Sequence, residues 1–174
     1  MASPGPQLSE RSRVHVAAAA LPGAIVASVV VSRLSNSLGN VGLAVSLHAP
    51  DDKLRMELVP AVRNSPLAGL MQECKDYQYV TGRRTTYEYV MLRDVNDSEA
   101  QADSLAKLLK GQLCHVNLIP FNQVVEAPFS PSDGDSTVCF ERILSRNGIP
   151  VTVRTPRGRD IDAACGQLAA RSST

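Results

Sequence analysis

From Gly42 onward the chain alternates β-rich runs with helical ones, and this alternation constrains the fold more than any other feature of the sequence. Residues 42–47 read as a buried strand. Ser65-Pro66 then opens a helix with an N-cap and a proline in its first turn. Leu67, Leu70, Met71, Cys74 and Tyr77 share one face of that helix, and Gly82 ends it. Residues 85–92 are rich in β-branched and aromatic side chains and read as a second strand. Ser98 with Gln101 forms a capping box for a helix whose inward stripe is Ala102, Leu105, Ala106 and Leu109, closed by Gly111. Residues 114–119 read as a further strand. After a loop of Pro, Ser and Asp, Val138, Cys139, Arg142 and Ile143 sit on a helix stopped by Asn147-Gly148, and residues 149–154 form the last strand. Strands recurring every roughly 30 to 40 residues with helices between them predict βαβ units and a parallel sheet. In parallel barrels the chemistry gathers at the C-terminal strand ends. Here those ends carry Ser46-Leu47-His48, Arg93-Asp94 with Asn96, and Pro120-Phe121-Asn122. A complete barrel needs more strands than these.

A chain of 174 residues is long enough for one domain with a real core. The formal net charge of +1 gives no argument for nucleic acid, and the arginines at 142, 146, 154, 157 and 159 alone read as a solvated basic surface. The cysteines at 74, 114, 139 and 165 contain no C-x-x-C pair, which argues against a zinc site of the usual kind. Their wide spacing fits reduced, intracellular thiols. Cys74 and Cys139 read as core residues. Residues 1–22, rich in Ala, Ser, Pro and Arg, are expected to form a disordered or targeting tail ahead of a folded unit at 23–174. The apolar run at 17–31 reads first as a buried strand over 24–31, then as a transit peptide, and last as a secretory signal. It is interrupted by Pro22-Gly23 and short for a membrane span, so no membrane association is expected.

Near the C-terminus, Cys165 stands between small residues, with Ala163-Ala164 before it and Gly166 after it, so another molecule can approach its sulfur closely. Arg154, Arg157 and Arg159 favour the thiolate while Asp160 and Asp162 oppose it. From these residues alone a small cysteine in a capped turn is the simpler reading.

The run DIDAACGQLA (160–169) resembles the closing signature of the radical-SAM RNA methyltransferases that modify carbon 2 of adenine, the RlmN/Cfr family. LAVSLHAP (43–50), LRMELVPAVR (54–63), TGRRTTYEYVMLRDVND (81–97), HVNLIPFN (115–122) and GIPVTVRTPRG (148–158) follow that family's order and approximate spacing. The resemblance runs from near Leu43 to Ala169. It implies an α/β fold, the C-terminal half of a partial (β/α) radical-SAM barrel with parallel strands. It also implies S-adenosylmethionine (SAM) and a 4Fe-4S cluster as cofactors, and rRNA and tRNA as substrates. The implied chemistry relays a methyl group from SAM through Cys165, by a radical route that the cluster initiates. Carried over by residue, Ser46, Leu47 and His48 match a SAM-contacting segment at a strand end, and Asn122 a further SAM contact. Without the resemblance, His48 reads as a strand-end histidine satisfied by a backbone carbonyl and Asn122 as a turn residue. Glu88 would point into a barrel from mid-strand, its role open.

The family's C-x-x-x-C-x-x-C cluster motif, which leaves one iron open for SAM, is not in this sequence, so no metal ligand is assigned. A Gly-Glu-Pro SAM segment and a second, releasing cysteine are not found either, and Arg159 stands where an acid is common. The expectation is a truncated form, inactive as a stand-alone enzyme and relying on a missing N-terminal half or on self-association. The competing expectation is a non-catalytic pseudoenzyme or an RNA- or protein-interaction module, with an ordinary thiol enzyme using Cys165 as a third. The expected compartment is the cytoplasm, with plastid or mitochondrion as alternatives.

Overall fold

A computed structural model describes residues 42–122 and 128–154 of the chain. The expected tail at 1–22, the strand at 24–31 and the Cys165 signature lie outside the described residues. The elements follow in the order β1 (Leu43–Ser46), α1 (Asp52–Leu58), a 3-10 turn (Pro60–Val62), α2 (Leu67–Thr81), β2 (Thr85–Met91), α3 (Glu99–Leu109), β3 (Cys114–Pro120), α4 (Gly134–Arg146) and β4 (Val151–Val153). The strands form one sheet in the order β1-β2-β3-β4, and every neighbouring pair is parallel. Sequential order with parallel pairing requires a crossover between each pair of strands. Crossovers of one hand put all the helices on the same face of the sheet. That is the arrangement of a (β/α) barrel wall, as the alternation predicts.

The pleat sorts the side chains. Leu43, Val45, Leu47, Tyr87, Tyr89, Met91, Cys114, Val116 and Leu118 are buried in one cluster with Leu70, Cys74 and Tyr77 of α2, Leu105 and Leu109 of α3, and Phe140 and Leu144 of α4. Each such side chain withdrawn from water contributes about 1.5–3 kcal/mol before the cost of ordering the chain. Alternate positions — Ala44, Ser46, Thr86, Glu88, His115 and Asn117 — stay half-buried on the opposite face. Cys74 and Cys114 are core residues, and burial pushes the Cys74 thiol up to about 11, making it a poor nucleophile.

Most helix ends form where the sequence places them. Ser98 accepts from the Gln101 N–H at 3.3 Å, and Gly82 ends α2 at φ 64°, a conformation glycine adopts without steric cost. Ser65 is not the N-cap of α2. Pro66 occupies the cap position without a side-chain cap bond, and the Leu67 N–H is instead taken by Asp52 Oδ1 at 2.7 Å. Asp52 comes from α1, a short helix that sequence periodicity does not reveal. Asp51 caps α1 by accepting from the Leu54 N–H at 2.9 Å, and Arg55, 1% exposed, ties it to the next turn through Nη1 donating to the Ser65 carbonyl at 2.9 Å. On α4, Val138 is 62% exposed, while Phe140, Ile143 and Leu144 are buried.

Candidate functional site

Two backbone bends shape the C-terminal end of the sheet. His48, just past β1, has φ 59°, and Asp94, just past β2, has φ 58°. Non-glycine residues enter this left-handed region at a cost, so surrounding bonds must hold them there. For His48 the holding group is Asn96, which is fully buried. Asn96 Nδ2 donates to the His48 carbonyl at 2.8 Å and to the Val90 carbonyl at 2.7 Å. Its Oδ1 accepts from the Leu92 N–H at 2.8 Å, so one amide closes both strand ends. The Asn96 carbonyl in turn accepts from the Tyr89 hydroxyl at 2.8 Å.

The His48 ring is fixed from a second side. Its Nδ1 accepts from the Val90 N–H at 3.2 Å, which leaves the ring proton on Nε2. The ring is therefore held by a backbone N–H, whereas the sequence reading without the resemblance had a carbonyl as its partner. Burial, reinforced by the nearby Arg55 charge, lowers its pKa to about 4. In the unfolded chain an imidazole takes up its proton near pH 6.5. Between these two values the unfolded chain binds the extra proton, so stability falls as pH drops from about 6.5 towards 4. The full effect is about 3 kcal/mol. Urea midpoints measured from pH 7.5 to 4 should fall more steeply for the parent chain than for His48→Gln. Parallel pH profiles for the two proteins would refute this origin.

Below the rim, pairing aligns one polar residue from each strand. Ser46 is in register with Glu88, Glu88 with Asn117, and Asn117 with Thr152, giving a row across all four strands on the face away from the helices. Asn117 Nδ2 donates to Glu88 Oε1 at 3.1 Å, while Glu88 Oε2 is buried without a hydrogen-bond partner among the described residues. His115, one pleat below Asn117, is shifted downward in pKa by desolvation and then by the Arg84 charge.

The sequence-predicted residues are placed as follows. Ser46 ends β1 on the open face, Leu47 is buried in the core, His48 lines the rim, and Asn122 is exposed two residues past β3. Ser46 and His48 meet Glu88 and Val90 of β2, whereas Asn122 stands a strand further away. Cys165 lies outside the described residues. Asn117 and Thr152 were not singled out from the sequence. The available signal was alternation, since each is a polar residue between two apolar ones within a strand.

No family model matches the chain. It is 50% identical over 139 residues to a protein of Pelotomaculum thermopropionicum described as a "Probable dual-specificity RNA methyltransferase RlmN", covering 79% of this chain and 38% of that protein. A Synechococcus elongatus protein of the same description is 41% identical over 161 residues, 92% of this chain and 45% of the relative. A crystal structure of a radical SAM methyltransferase from Sphaerobacter thermophilus superposes with a TM-score of 0.76 at 51% identity, over 83% of this chain and 42% of that one. The chain belongs to the RlmN-type radical-SAM RNA methyltransferase family. It spans roughly two fifths of the length of these RlmN relatives, in keeping with the half-length match expected from the motifs. A domain of a pyruvate-formate lyase-activating enzyme from Bacteroides vulgatus, 13% identical with a TM-score of 0.56, shares the fold alone.

Membership in the RlmN-type family implies SAM and a 4Fe-4S cluster. The polar row and the rim suit a polar nucleoside ligand, since among the described residues no group donates to the buried Glu88 Oε2. The described residues do not fit the cluster. Among them no three His, Cys, Asp or Glu side chains are grouped to hold a metal. Cys74 and Cys114 are buried, and the Cys139 thiol donates to Glu99 Oε1 on the helical side. No helix among the described residues is long and apolar enough to cross a membrane.

Proposed function

We propose that this chain supplies the SAM-contacting strand ends and the methyl-relaying cysteine of a dual-specificity methyltransferase acting on carbon 2 of adenine in rRNA and tRNA. The observation that carries the proposal is the rim at Ser46-Leu47-His48, braced by Asn96, in a chain about half identical to RlmN relatives over most of its length. When bound, SAM supplies the methyl group, which Cys165 carries on its sulfur to the adenine. Ser46 presents its hydroxyl, and Leu47 anchors the segment in the core. The neutral His48 ring offers an Nε2–H donor and, uncharged above about pH 4, adds no positive charge beside a cationic sulfonium. The Asn122 amide provides both a donor and an acceptor at the rim. RNA is the macromolecular partner in this reading, and the cytoplasm its compartment.

The chain by itself is proposed to be inactive, because the described residues give no cluster site and no C-x-x-x-C-x-x-C motif is present in its sequence. The test is anaerobic reconstitution of the purified chain with iron and sulfide, followed by iron counting, EPR of the reduced sample and an adenine-methylation assay on rRNA and tRNA. The expected result is no stoichiometric cluster and no methylated adenine. A SAM-responsive cluster with methylation that disappears on Cys165→Ala would overturn the inactivity and establish the role of the cysteine together. Methylation that survives Cys165→Ala would overturn the relay.

A further inference from the structure

We infer that Glu88 receives a ribose hydroxyl of the adenosine part of the cofactor, making the Ser46–Glu88–Asn117 row the floor of a nucleoside site. The inference rests on the reading that SAM binds at the β1 rim, and it assigns a residue whose role the sequence leaves open. Glu88 is the fourth residue of β2, well below the strand's C-terminal end at Met91. Its carboxyl group is tethered on one side, where Asn117 Nδ2 donates to Oε1 at 3.1 Å. The other oxygen, Oε2, is buried and has no hydrogen-bond partner among the described residues. A buried polar atom left unpaired is costly, and native proteins rarely keep one without a ligand or function to complete it.

The chemistry of the missing partner follows from the neighbours. An ionised carboxyl group only accepts hydrogen bonds, so its partner must be a donor. On the adjacent strand Ser46 is directly in register with Glu88, about 5 Å away, and its hydroxyl both donates and accepts. Two oxygens side by side on neighbouring strands suit a group with two adjacent hydroxyls, one donating to Glu88 and the other exchanging a bond with Ser46. Ala44, the preceding open-face residue on β1, is small and leaves room beside them. A ribose with its 2′ and 3′ hydroxyls has this form. With the nucleoside seated here, the rest of the cofactor extends towards His48 at the rim.

The test is calorimetric titration of the full chain with S-adenosylhomocysteine and with its 2′-deoxy and 3′-deoxy analogues, for the parent chain, Glu88→Gln and Asn122→Ala. For the parent chain, removal of one of the two hydroxyls should weaken binding about 10- to 100-fold, the range of a hydrogen bond to a charged group. Glu88→Gln should lose a similar factor towards S-adenosylhomocysteine and become indifferent to the removal of that same hydroxyl. Its thermal midpoint without ligand should stay within about 2 °C of the parent, which separates loss of a contact from loss of the fold. If both deoxy analogues bind the parent chain as tightly as S-adenosylhomocysteine does, the donor is not a hydroxyl and the assignment is overturned. If Asn122→Ala weakens binding while Glu88→Gln leaves it unchanged, the rim reading stands and the Glu88 assignment falls. If the parent chain does not bind S-adenosylhomocysteine, both fall together.

Discussion

Replacing Asn96 by Leu should destabilise the chain by about 4 kcal/mol, near the upper end of single-residue effects. Leucine has similar bulk, so the loss comes from polar groups rather than from a cavity. The His48 carbonyl, the Val90 carbonyl and the Leu92 N–H all lose their partner at once, within a fully buried site. Each such group costs about 1–3 kcal/mol when stranded, less whatever local relaxation recovers. Asn96→Asp is the sharper version, because it keeps the shape and the acceptor while removing both donors. An ionised carboxyl group would then face two carbonyl oxygens in a dry site. Both variants should lower the urea midpoint strongly, and both should weaken S-adenosylhomocysteine binding, because the His48 bend at φ 59° loses its brace. Midpoints within about 0.5 kcal/mol of the parent would show that the bend holds without Asn96.

Tyr89→Ala is expected to cost a similar amount, about 4 kcal/mol, for a different reason. The Tyr89 ring is fully buried in the middle of β2, with its centroid 5.2 Å from that of Phe140 on α4. Its removal opens a cavity where the sheet meets the helical layer, and the neighbours cannot collapse fully into it. Tyr89→Phe isolates the hydroxyl, which donates to the Asn96 carbonyl at 2.8 Å, and should cost only about 1 kcal/mol. Because that bond joins Tyr89 to the residue bracing the rim, Tyr89→Phe and Asn96→Leu should be non-additive in a double-mutant cycle. Equal losses for Phe and Ala at position 89 would show that the hydroxyl, and not the packing, dominates.

Much of this architecture was legible from local signals. The helix beginning after Ser98 and the stop at Gly82 are written in residues within a turn of the feature they control, so the sequence shows them directly. The helix α1 was not legible, since seven residues carry too little periodicity. Its anchors, Arg55 to the Ser65 carbonyl and Asp52 to the Leu67 N–H, join residues 10 and 15 positions apart. The same distinction governs the site. Ser46-Leu47-His48 announces itself as a strand end, and Glu88 as a polar residue inside an apolar strand. That Glu88 faces Ser46 and Asn117, rather than the residues beside them, depends on strand register, which a single sequence does not display. Asn96 was visible as a strand-end residue, but its work is internal, binding backbone groups 6 and 48 positions away.

The polar row also decides which insertions and deletions the chain tolerates. Ser46, Glu88, Asn117 and Thr152 come from four separate stretches of sequence and meet only because every strand is paired in one alignment. Moving β2 by one residue would present Tyr87 or Tyr89 to the open face and drive Glu88 into the helical core. A residue gained or lost inside a strand is thus a double fault, emptying the floor of the site and placing an acid among leucines. A residue gained in the turns around Gly111 or Asn147 shifts neither. Length variation among relatives of this chain should therefore collect between the strands and spare their interiors, with drift in helices and loops and a fixed count across the sheet.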